Sequence, residues 1–312
     1  MVEYIKDVIW KNGQKVSDFL EQMKANGYQS IELYKAAEII YKMKKEKAKI
    51  FLTFTSNLGT SGLRGLFAQL IKLGLADIIV TTAGALEEDI MKSIGEKFLI
   101  TRFNADDIAL HEKGHNRVGN IAITTDTYQK FEGFIIPILE KIAKEKKSLT
   151  TSELIYEIGK NLKDNNSFIR QAYLKKVPIH CPSIIDGSIG FQLYFVKQKH
   201  PEFNIDIISD FKETMFYTTQ DDRKGVIALG GGVSKHFAIL SSLISGGMDY
   251  AVYITTANAT SGSASGATTS EAKSWGKIKD DADSVTVKGD ATVLFPLVMF
   301  SVLDRLKKEG EI

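Results

Sequence analysis

Lys277 is the residue whose type and surroundings point most directly to chemistry. It lies in the run Ser-Trp-Gly-Lys, two residues after Trp275. A lysine that forms a Schiff base must first lose its proton, and an apolar or desolvated setting favours that loss. The ring of Trp275 could provide an apolar wall for this purpose. Most lysines are surface residues, so the spacing alone leaves a catalytic role and an ordinary role open.

Acidic and imidazole side chains give weaker signals. Glu87, Glu88 and Asp89 are consecutive at the start of an expected helix, where acids commonly complement the helix dipole. The same acids could instead form an anionic pocket for a cationic amine. His236 could act in a site, but it could equally be a hydrogen-bonded polar residue of the core. Asp186 could also act in a site, but it could equally be an ordinary turn residue.

One histidine motif has the spacing of a metal site, but the residues around it argue against metal binding. Residues 111–115 read His-Glu-Lys-Gly-His, which satisfies the HExxH spacing. A zinc site of this type needs both imidazoles on one face of a helix. Gly114 lies inside the motif and Gly119 follows soon after. We therefore predict that these are loop residues and that they bind no metal.

The rest of the sequence alternates short apolar runs with helical patterns. The runs are β-branched and bounded by Gly, Pro, Ser or Asn, as expected for buried strands. They span residues 48–55, 76–82, 97–101, 177–183, 225–231 and 250–256. Between them, apolar residues recur with helical spacing, as in 63–71 and 131–142. We therefore predict an α/β, Rossmann-like fold in which helices cover both faces of a mainly parallel sheet.

The loops that follow these strands are rich in small residues. They span residues 55–62, 81–89, 181–190, 230–236 and 255–272. In a parallel sheet, ligands bind at the carboxyl ends of the strands, where such loops converge. Small residues admit a ligand close to the backbone, and free amide groups at a helix start bind anions. The set suits a cofactor with a pyrophosphate, although the glycines at 230–232 alone could form a tight turn.

Composition excludes several broad classes of protein. The 312 residues are 44% hydrophobic, and 40 basic residues balance 38 acidic ones, which argues against a nucleic-acid surface. The single cysteine, Cys181, excludes an internal disulfide framework and a CxxC site. With no signal peptide and no apolar run long enough to span a bilayer, we predict a cytoplasmic protein. The small-residue stretch 258–270 is interpreted as an internal loop, so residues 1–312 are predicted to form a single domain.

Taken together, the motifs resemble the deoxyhypusine synthase family from about residue 5 to about residue 300. The matching stretches occur in the order in which the family has them, and such an ordered set is far more specific than any single motif. They are 56–64 (SNLGTSGLR), 80–89 (VTTAGALEED), 116–120 (NRVGN), 186–190 (DGSIG), 230–236 (GGGVSKH), 249–257 (DYAVYITTA), 271–278 (EAKSWGKI) and 289–296 (GDATVLFP).

The resemblance implies a homotetrameric, NAD-dependent transferase of hypusine biosynthesis, built from a single NAD-binding domain. In this family NAD takes a hydride from spermidine, which produces an imine. The active-site lysine captures the aminobutyl group, and 1,3-diaminopropane leaves. The group then passes to a lysine of a translation factor, and the retained NADH reduces the new imine.

The family's functional residues are implied at the matching positions of these motifs. Lys277 would be the imine-forming nucleophile, and His236 would be the adjacent proton-transfer or amine-positioning group. The residues implied for the cofactor are Ser56, Asn57, Leu58, Gly59, Thr60, Thr82, Ala83, Gly84, Glu88, Asp186, Gly231, Thr256, Ala257, Asp290 and Ala291. The residues implied for the amine substrate are Glu87, Glu88, His236, Gly262, Ser263, Glu271, Trp275 and Lys277.

Two positions depart from the family pattern. Phe191 follows the DGSIG motif and Ala264 lies in GSASG, and both stand where the family has aspartates that hold the ammonium ends of the polyamine. A hydrogen bond to a charged partner is worth about 1.5–3 kcal/mol, so losing two could weaken spermidine binding by roughly two to four orders of magnitude. Two alternatives therefore stand beside deoxyhypusine synthesis. One is the same NAD and lysine chemistry on a different amine, as in homospermidine synthesis, and the other is a non-catalytic, NAD-binding regulatory paralog.

Overall fold

The computed structural model describes residues 4–220 and 222–312. The strands are β1 (Lys49–Phe54), β2 (Ile78–Val80), β3 (Leu99–Ile100), β4 (His115–Val118), β5 (Ile121–Thr124), β6 (Ser148–Leu149), β7 (Ile179–His180), β8 (Asn204–Ile205), β9 (Lys224–Leu229), β10 (Met248–Thr255) and β11 (Ile278–Lys288). The α-helices are α1 (Val16–Met23), α2 (Gln29–Lys45), α3 (Ser56–Leu58), α4 (Arg64–Lys72), α5 (Ala83–Ser93), α6 (Asp107–Glu112), α7 (Thr125–Glu145), α8 (Thr151–Asn161), α9 (Phe168–Lys175), α10 (Ser188–Lys199), α11 (Ile207–Thr219), α12 (Gly232–Ser241), α13 (Thr269–Ser274) and α14 (Ala291–Lys308). A π-helical segment spans Gly59–Leu63, and 3₁₀ turns span Leu243–Ser245 and Ala259–Ser261.

Contacts within the chain group its residues into two compact units. The first unit comprises the described residues up to Phe54, Leu75–Ile78 and those of the stretch Glu213–Ile312. The second comprises Thr55–Gly74 and Ile79–Lys212, so the border falls inside α11. The prediction that residues 1–312 form one domain stays a prediction.

The first unit is built on four parallel strands in the order β11-β10-β9-β1. Tyr250 and Tyr253, three residues apart on β10, point to opposite faces because side chains alternate along a strand. Lys42 of α2 lies 5.6 Å from the ring centroid of Tyr250, and Lys235 of α12 lies 4.5 Å from that of Tyr253. Helices therefore cover both faces of this sheet, as predicted for buried parallel strands.

Gly225 explains how closely α2 packs on this sheet. A Cβ atom at this position of β9 would lie 2.7 Å from the Sδ atom of Met43, which is shorter than any ordinary contact. The missing side chain leaves the space that Met43 fills, and Met43 is fully buried. Such complementary filling is typical of a close-packed core.

The second unit pairs β2 with β7 in parallel, in the register Ile79 to Ile179 and Val80 to His180. Two smaller sheets accompany this pair, the antiparallel β3-β5-β4 and the parallel β6-β8. The apolar run 97–101 was expected to be a buried strand of the main sheet, and that expectation is wrong. Its strand β3 joins the antiparallel sheet, where Ile100 is 90% exposed.

The helical patterns are confirmed for both segments named above, which form α4 and most of α7. The prediction that His111 and His115 are loop residues is wrong, because His111 lies in the last turn of α6 and His115 begins β4. Gly114 between them has a φ of +67°, which ends the helix. The two imidazoles therefore do not share one helix, which an HExxH zinc site requires.

The predicted α/β fold class with parallel strands is confirmed. Among the helices of the described residues, none combines the length and apolar character needed to cross a membrane.

Candidate active site

The backbone of Lys277 is held firmly in the first unit. Lys277 follows the short helix α13 and the turn at Gly276, whose φ is +66°. Its N–H donates to the carbonyl of Ala272 at 3.1 Å. Its carbonyl accepts from the N–H of Met248 at 3.1 Å and from the Ser242 hydroxyl at 3.0 Å. The direction of the side chain is thus set by the elements around it.

The Lys277 side chain contacts two of the residues implied for the amine site. Its Nζ atom lies 3.2 Å from Nε2 of His236, which is on α12. It also lies 5.0 Å from the ring centroid of Trp275, within the range of a cation–π contact. The structure therefore brings together Lys277, His236 and Trp275, which are up to 41 residues apart in sequence.

These side chains line a cavity of about 270 Å³, which we call the Lys277 cavity. Its lining residues are Lys235, His236, Ile239, Tyr253, Gly262, Ala264, Ala267, Thr268, Glu271, Ala272, Trp275 and Lys277. Five residues implied for the amine substrate are therefore gathered here. Of the other three, Ser263 bonds through its hydroxyl to Ser261 at 2.9 Å, and Glu87 and Glu88 belong to the second unit.

The environment of His236 favours its neutral form. Partial burial, together with the neighbouring cations Lys277 and Lys235, lowers the pKa of His236 below its ordinary value of 6.5. A neutral imidazole can accept a proton through its free ring nitrogen, and that nitrogen faces the amine of Lys277 if the proton is on Nδ1. The pair therefore has the geometry of a nucleophile and its proton acceptor.

Lys235 is a functional candidate that the sequence interpretation missed. It is only 2% exposed, and its Nζ donates to the carbonyl of Ala267 at 3.1 Å. Burial lowers the pKa of Lys235 to about 8. Its place in the GGGVSKH run, next to His236, was the available signal, but sequence alone does not show that this amine is buried.

In the second unit, the loops after β1 and β2 form one cluster. The hydroxyl of Thr82 accepts from the N–H of Ser56 at 3.0 Å. Gly84 packs on Ser56, since a Cβ at Gly84 would lie 3.0 Å from the Ser56 Cβ. Lys92 of α5 donates to the carbonyls of Gly59 at 3.1 Å and Thr60 at 3.0 Å. The cluster contains the residues Ser56, Asn57, Leu58, Gly59, Thr60, Thr82, Ala83, Gly84 and Glu88.

Glu87 and Glu88 are both buried, but they have different partners. Burial raises the pKa of Glu88 to about 7, against the opposing effects of the Thr60 hydroxyl, which donates to it, and of Lys92. Glu87 accepts from the N–H of Ile189 at 2.9 Å at the start of α10. Burial also raises the pKa of Glu87. The Glu87 carboxylate thus stabilises the α10 N-terminus, whereas Glu88 faces the cluster.

The other residues implied for the cofactor are distributed over loop ends. Asp186 precedes α10 and is exposed. In the first unit, Gly231 is the N-cap of α12, and a Cβ there would lie 2.2 Å from Cα of Ser265. Asp290 caps α14 by accepting from the N–H of Thr292 at 2.8 Å. The remaining three are Thr256 and Ala257, directly after β10, and Ala291, the first residue of α14.

The two departures from the family pattern lie in different surroundings. Ala264 lines the Lys277 cavity. Phe191 lies on α10 and is 66% exposed. It lines an apolar groove of about 740 Å³ in the second unit, together with Ile185 and Tyr194. Neither position supplies a carboxylate.

The fold and the site define a class of protein: an α/β protein with parallel strands, small-residue loops and a lysine–imidazole pair in a cavity. Comparison with known proteins makes the assignment specific. The deoxyhypusine synthase family model matches residues 18–302. A probable deoxyhypusine synthase of Thermococcus kodakarensis is 43% identical, with 93% of this chain and 90% of that protein covered. One of Ignicoccus hospitalis is 36% identical, with 98% and 97% covered.

A solved structure agrees with these relatives. A crystal structure of a deoxyhypusine synthase family protein from Entamoeba histolytica matches with a TM-score of 0.69 and 27% identity, covering 96% of this chain and 97% of that one. The chain therefore belongs to the deoxyhypusine synthase family. The predicted family, the deoxyhypusine synthase activity and the transferase class are confirmed.

Proposed function

We propose that this member of the deoxyhypusine synthase family acts through the amine of Lys277, which carries the aminobutyl group of spermidine to a lysine of a translation factor, with NAD as cofactor. The observation that supports this most directly is the contact of 3.2 Å between Lys277 Nζ and His236 Nε2 at the wall of a cavity. A nucleophile beside a group that can take its proton is the arrangement that covalent catalysis needs.

Each unit, taken by itself, has a helix start that suits the phosphate of a cofactor. The hydroxyl of Thr82 is engaged by Ser56, and among the described residues no side chain caps the start of α5. The start of α12, at Gly231, likewise receives no side-chain cap from the described part of the chain. Uncapped amide groups at a helix N-terminus favour phosphate groups. Glu88, next to the same small-residue loops, offers a carboxylate of the kind that holds ribose hydroxyls.

The chain's own residues account for the group transfer. When bound, NAD would supply a hydride acceptor for the donor carbon beside the secondary nitrogen. The neutral amine of Lys277 attacks the imine carbon of the oxidised donor and forms a bond from Nζ to that carbon. The bond from the same carbon to the nitrogen of 1,3-diaminopropane then breaks. The proton lost by Nζ passes to the leaving nitrogen, and His236 can relay it. The acceptor lysine displaces Lys277 by the same exchange, and the reduced cofactor, when bound, would supply the hydride for the new imine.

The release of 1,3-diaminopropane tests this function. Chain incubated with NAD and spermidine, without acceptor, is expected to release about one equivalent of 1,3-diaminopropane per Lys277, measured by chromatography. Adding the acceptor translation factor is expected to make release catalytic. If no amine donor releases its leaving amine, the result would contradict an enzymatic role and would favour the non-catalytic paralog. A homotetramer is the oligomeric state that we propose, to be checked by the solution mass of the protein.

The rate of release is expected to depend on pH through His236. The lowered pKa of His236 means that the ring is neutral at pH 7 and charges only as the pH falls below 6.5. The charged ring cannot accept the proton of Lys277, so the rate should fall along an acid limb that is centred below pH 6.5. His236→Gln should be slower and should lack that limb. An acid limb centred above pH 6.5 in the unaltered chain would contradict the assigned role.

A second candidate uses the same chemistry on a less cationic amine. Ala264 in the Lys277 cavity favours it, because the wall has a methyl group where the family has a carboxylate. Repeating the release assay with a panel of amines distinguishes the two candidates. Spermidine as the preferred donor supports deoxyhypusine synthesis, and preference for another amine supports the second candidate.

A further inference from the structure

One loop contributes part of the wall of the Lys277 cavity. It runs from residue 256 to residue 268, between β10 and α13, and we call it the 256–268 loop. Every residue in it is Gly, Ala, Ser, Thr or Asn. Four of these residues line the cavity: Gly262, Ala264, Ala267 and Thr268. Side chains this small bury little apolar surface, so the loop needs polar contacts to hold one conformation.

Side chains of β10 and α12 bind two carbonyl groups near the end of this loop. The Thr255 hydroxyl, on β10, donates to the carbonyl of Ser265 at 3.2 Å. The Nζ atom of Lys235, on α12, donates to the carbonyl of Ala267 at 3.1 Å. Lys235 also lines the cavity, so a change at Lys235 would alter the loop and the cavity wall together.

Lys288, the last residue of β11, joins the two ends of the loop. Its Nζ atom donates to the carbonyl of Ala257 at 2.8 Å and, in a longer bond, to the carbonyl of Gly266 at 3.4 Å. Its backbone is fixed in turn, because it pairs with Thr255 of β10 and its N–H donates to Oε1 of Gln29 at 2.6 Å. Hydrogen bonds from a charged donor are stronger than those between neutral groups. One ammonium group therefore holds the start and the end of the loop together.

The backbone is closely packed where the two ends of the loop meet. A Cβ atom at Gly266 would overlap the carbonyl oxygen of Asn258, so the end of the loop lies directly against its start. Lys288 itself is not among the described residues that line the cavity. Any effect of Lys288 on the donor must therefore pass through the position of the loop.

We propose that Lys288 is a positioning residue of the transfer reaction, which holds the 256–268 loop in the conformation that receives the amine donor. The inference rests on the proposed role of Lys277. Lys277 and His236 lie outside this loop, so the position of the loop affects the binding of the donor more than the exchange at Nζ. A loop that is ordered in advance removes the entropic cost of ordering it when the donor binds.

Replacing Lys288 by methionine removes the ammonium group and keeps a side chain of similar length. Release of 1,3-diaminopropane in a single turnover, measured over a range of spermidine concentrations at saturating NAD, gives a half-saturating concentration and a maximal rate. We expect Lys288→Met to raise the half-saturating concentration about tenfold, as for one lost charge-assisted hydrogen bond, and to change the maximal rate by less than about threefold. Lys288→Arg, which can donate to the same carbonyls, should recover most of the affinity. Lys308→Met, which removes an exposed lysine at the end of α14, is the control and should change neither value.

Hydrogen exchange gives a readout of the loop itself. The N–H groups of Gly266 and Ala267 both donate to the carbonyl of Ser263, at 3.0 Å and 3.2 Å. Their exchange, measured by mass spectrometry on a peptide of the loop, should be faster in Lys288→Met and unchanged in Lys308→Met. Peptides of β9 should exchange at the same rate in all three chains, because a general loss of stability would accelerate exchange there as well.

The outcomes separate this inference from the proposed function. An unchanged half-saturating concentration in Lys288→Met, or unchanged exchange of its loop, overturns the role of Lys288 and leaves that of Lys277 intact. In the unaltered chain the loop should exchange more slowly than a free peptide of the same sequence, and equal rates overturn the proposal even if Lys288→Met fails to fold. Absence of 1,3-diaminopropane release by the unaltered chain overturns the proposed function, and this inference with it.

Discussion

Replacing Lys277 by alanine is expected to slow the transfer of the aminobutyl group from spermidine to the acceptor lysine by roughly three or more orders of magnitude. The variant loses the atom that forms the covalent bond, and His236 at 3.2 Å cannot replace it as carrier of an alkylimine. Transfer is measured as the incorporation of labelled aminobutyl group into the acceptor protein. NAD affinity, measured by calorimetry, should remain nearly unchanged.

Lys279 provides the matched control for this variant. It lies two residues later in the chain, on β11, and pairs with Asp249 at 2.6 Å, so its amine is engaged outside the Lys277 cavity. Lys279→Ala should transfer the aminobutyl group at close to the unaltered rate. Undiminished transfer by Lys277→Ala would show that another group carries the intermediate.

Replacing Asp89 by alanine is expected to destabilise the second unit by about 3–5 kcal/mol, because it leaves a largely buried arginine without its main partner. The Asp89 carboxylate accepts from Nε of Arg64 at 2.6 Å, from the Ser167 hydroxyl at 2.6 Å and from the N–H of Ile169 at 3.2 Å. Ser167 is also the N-cap of α9. One side chain therefore joins α4, α5 and α9, and urea denaturation should show a clearly lower midpoint.

A second aspartate–arginine pair shows whether burial is the cause. Asp107 pairs with Arg117, but its side chain is 62% exposed. Exposed pairs of this kind contribute little to stability, because solvent already screens their charges. Asp107→Ala should leave the urea midpoint almost unchanged. Equal shifts for the two variants would contradict the argument from burial.

The sequence interpretation succeeded where apolar patterning determines the element. The runs that became β1, β9 and β10 are buried and β-branched, and they form the parallel sheet of the first unit. It failed for β11, which was not predicted because the segment Lys-Asp-Asp-Ala-Asp-Ser at 279–284 is polar. Pairing with β10 makes this segment a strand, and its exposed first half carries no apolar signal. The prediction for residues 97–101 failed in the opposite way, since this run is apolar but its strand lies on the surface.

The candidate site could be predicted only in part, because its residues come together through the sheet. Trp275 and Lys277 are neighbours in sequence, so local spacing suggested an apolar wall. His236 is 41 residues away and meets Lys277 because β9 and β10, which precede α12 and α13, pair side by side. Only the family resemblance linked these positions before the structure was known. The burial of Lys235 has no sequence pattern at all, since it depends on the Tyr253 ring and the Ala267 carbonyl.

The location of the covalent adduct tests the central claim most directly. Chain, NAD and spermidine are mixed without acceptor, the imine is reduced with borohydride, and the modified peptide is sequenced by mass spectrometry. We expect one aminobutyl adduct per chain, on Lys277, and none on Lys235 or on any other lysine. A stable adduct at a different lysine, or none on Lys277 while 1,3-diaminopropane is released, would contradict the account.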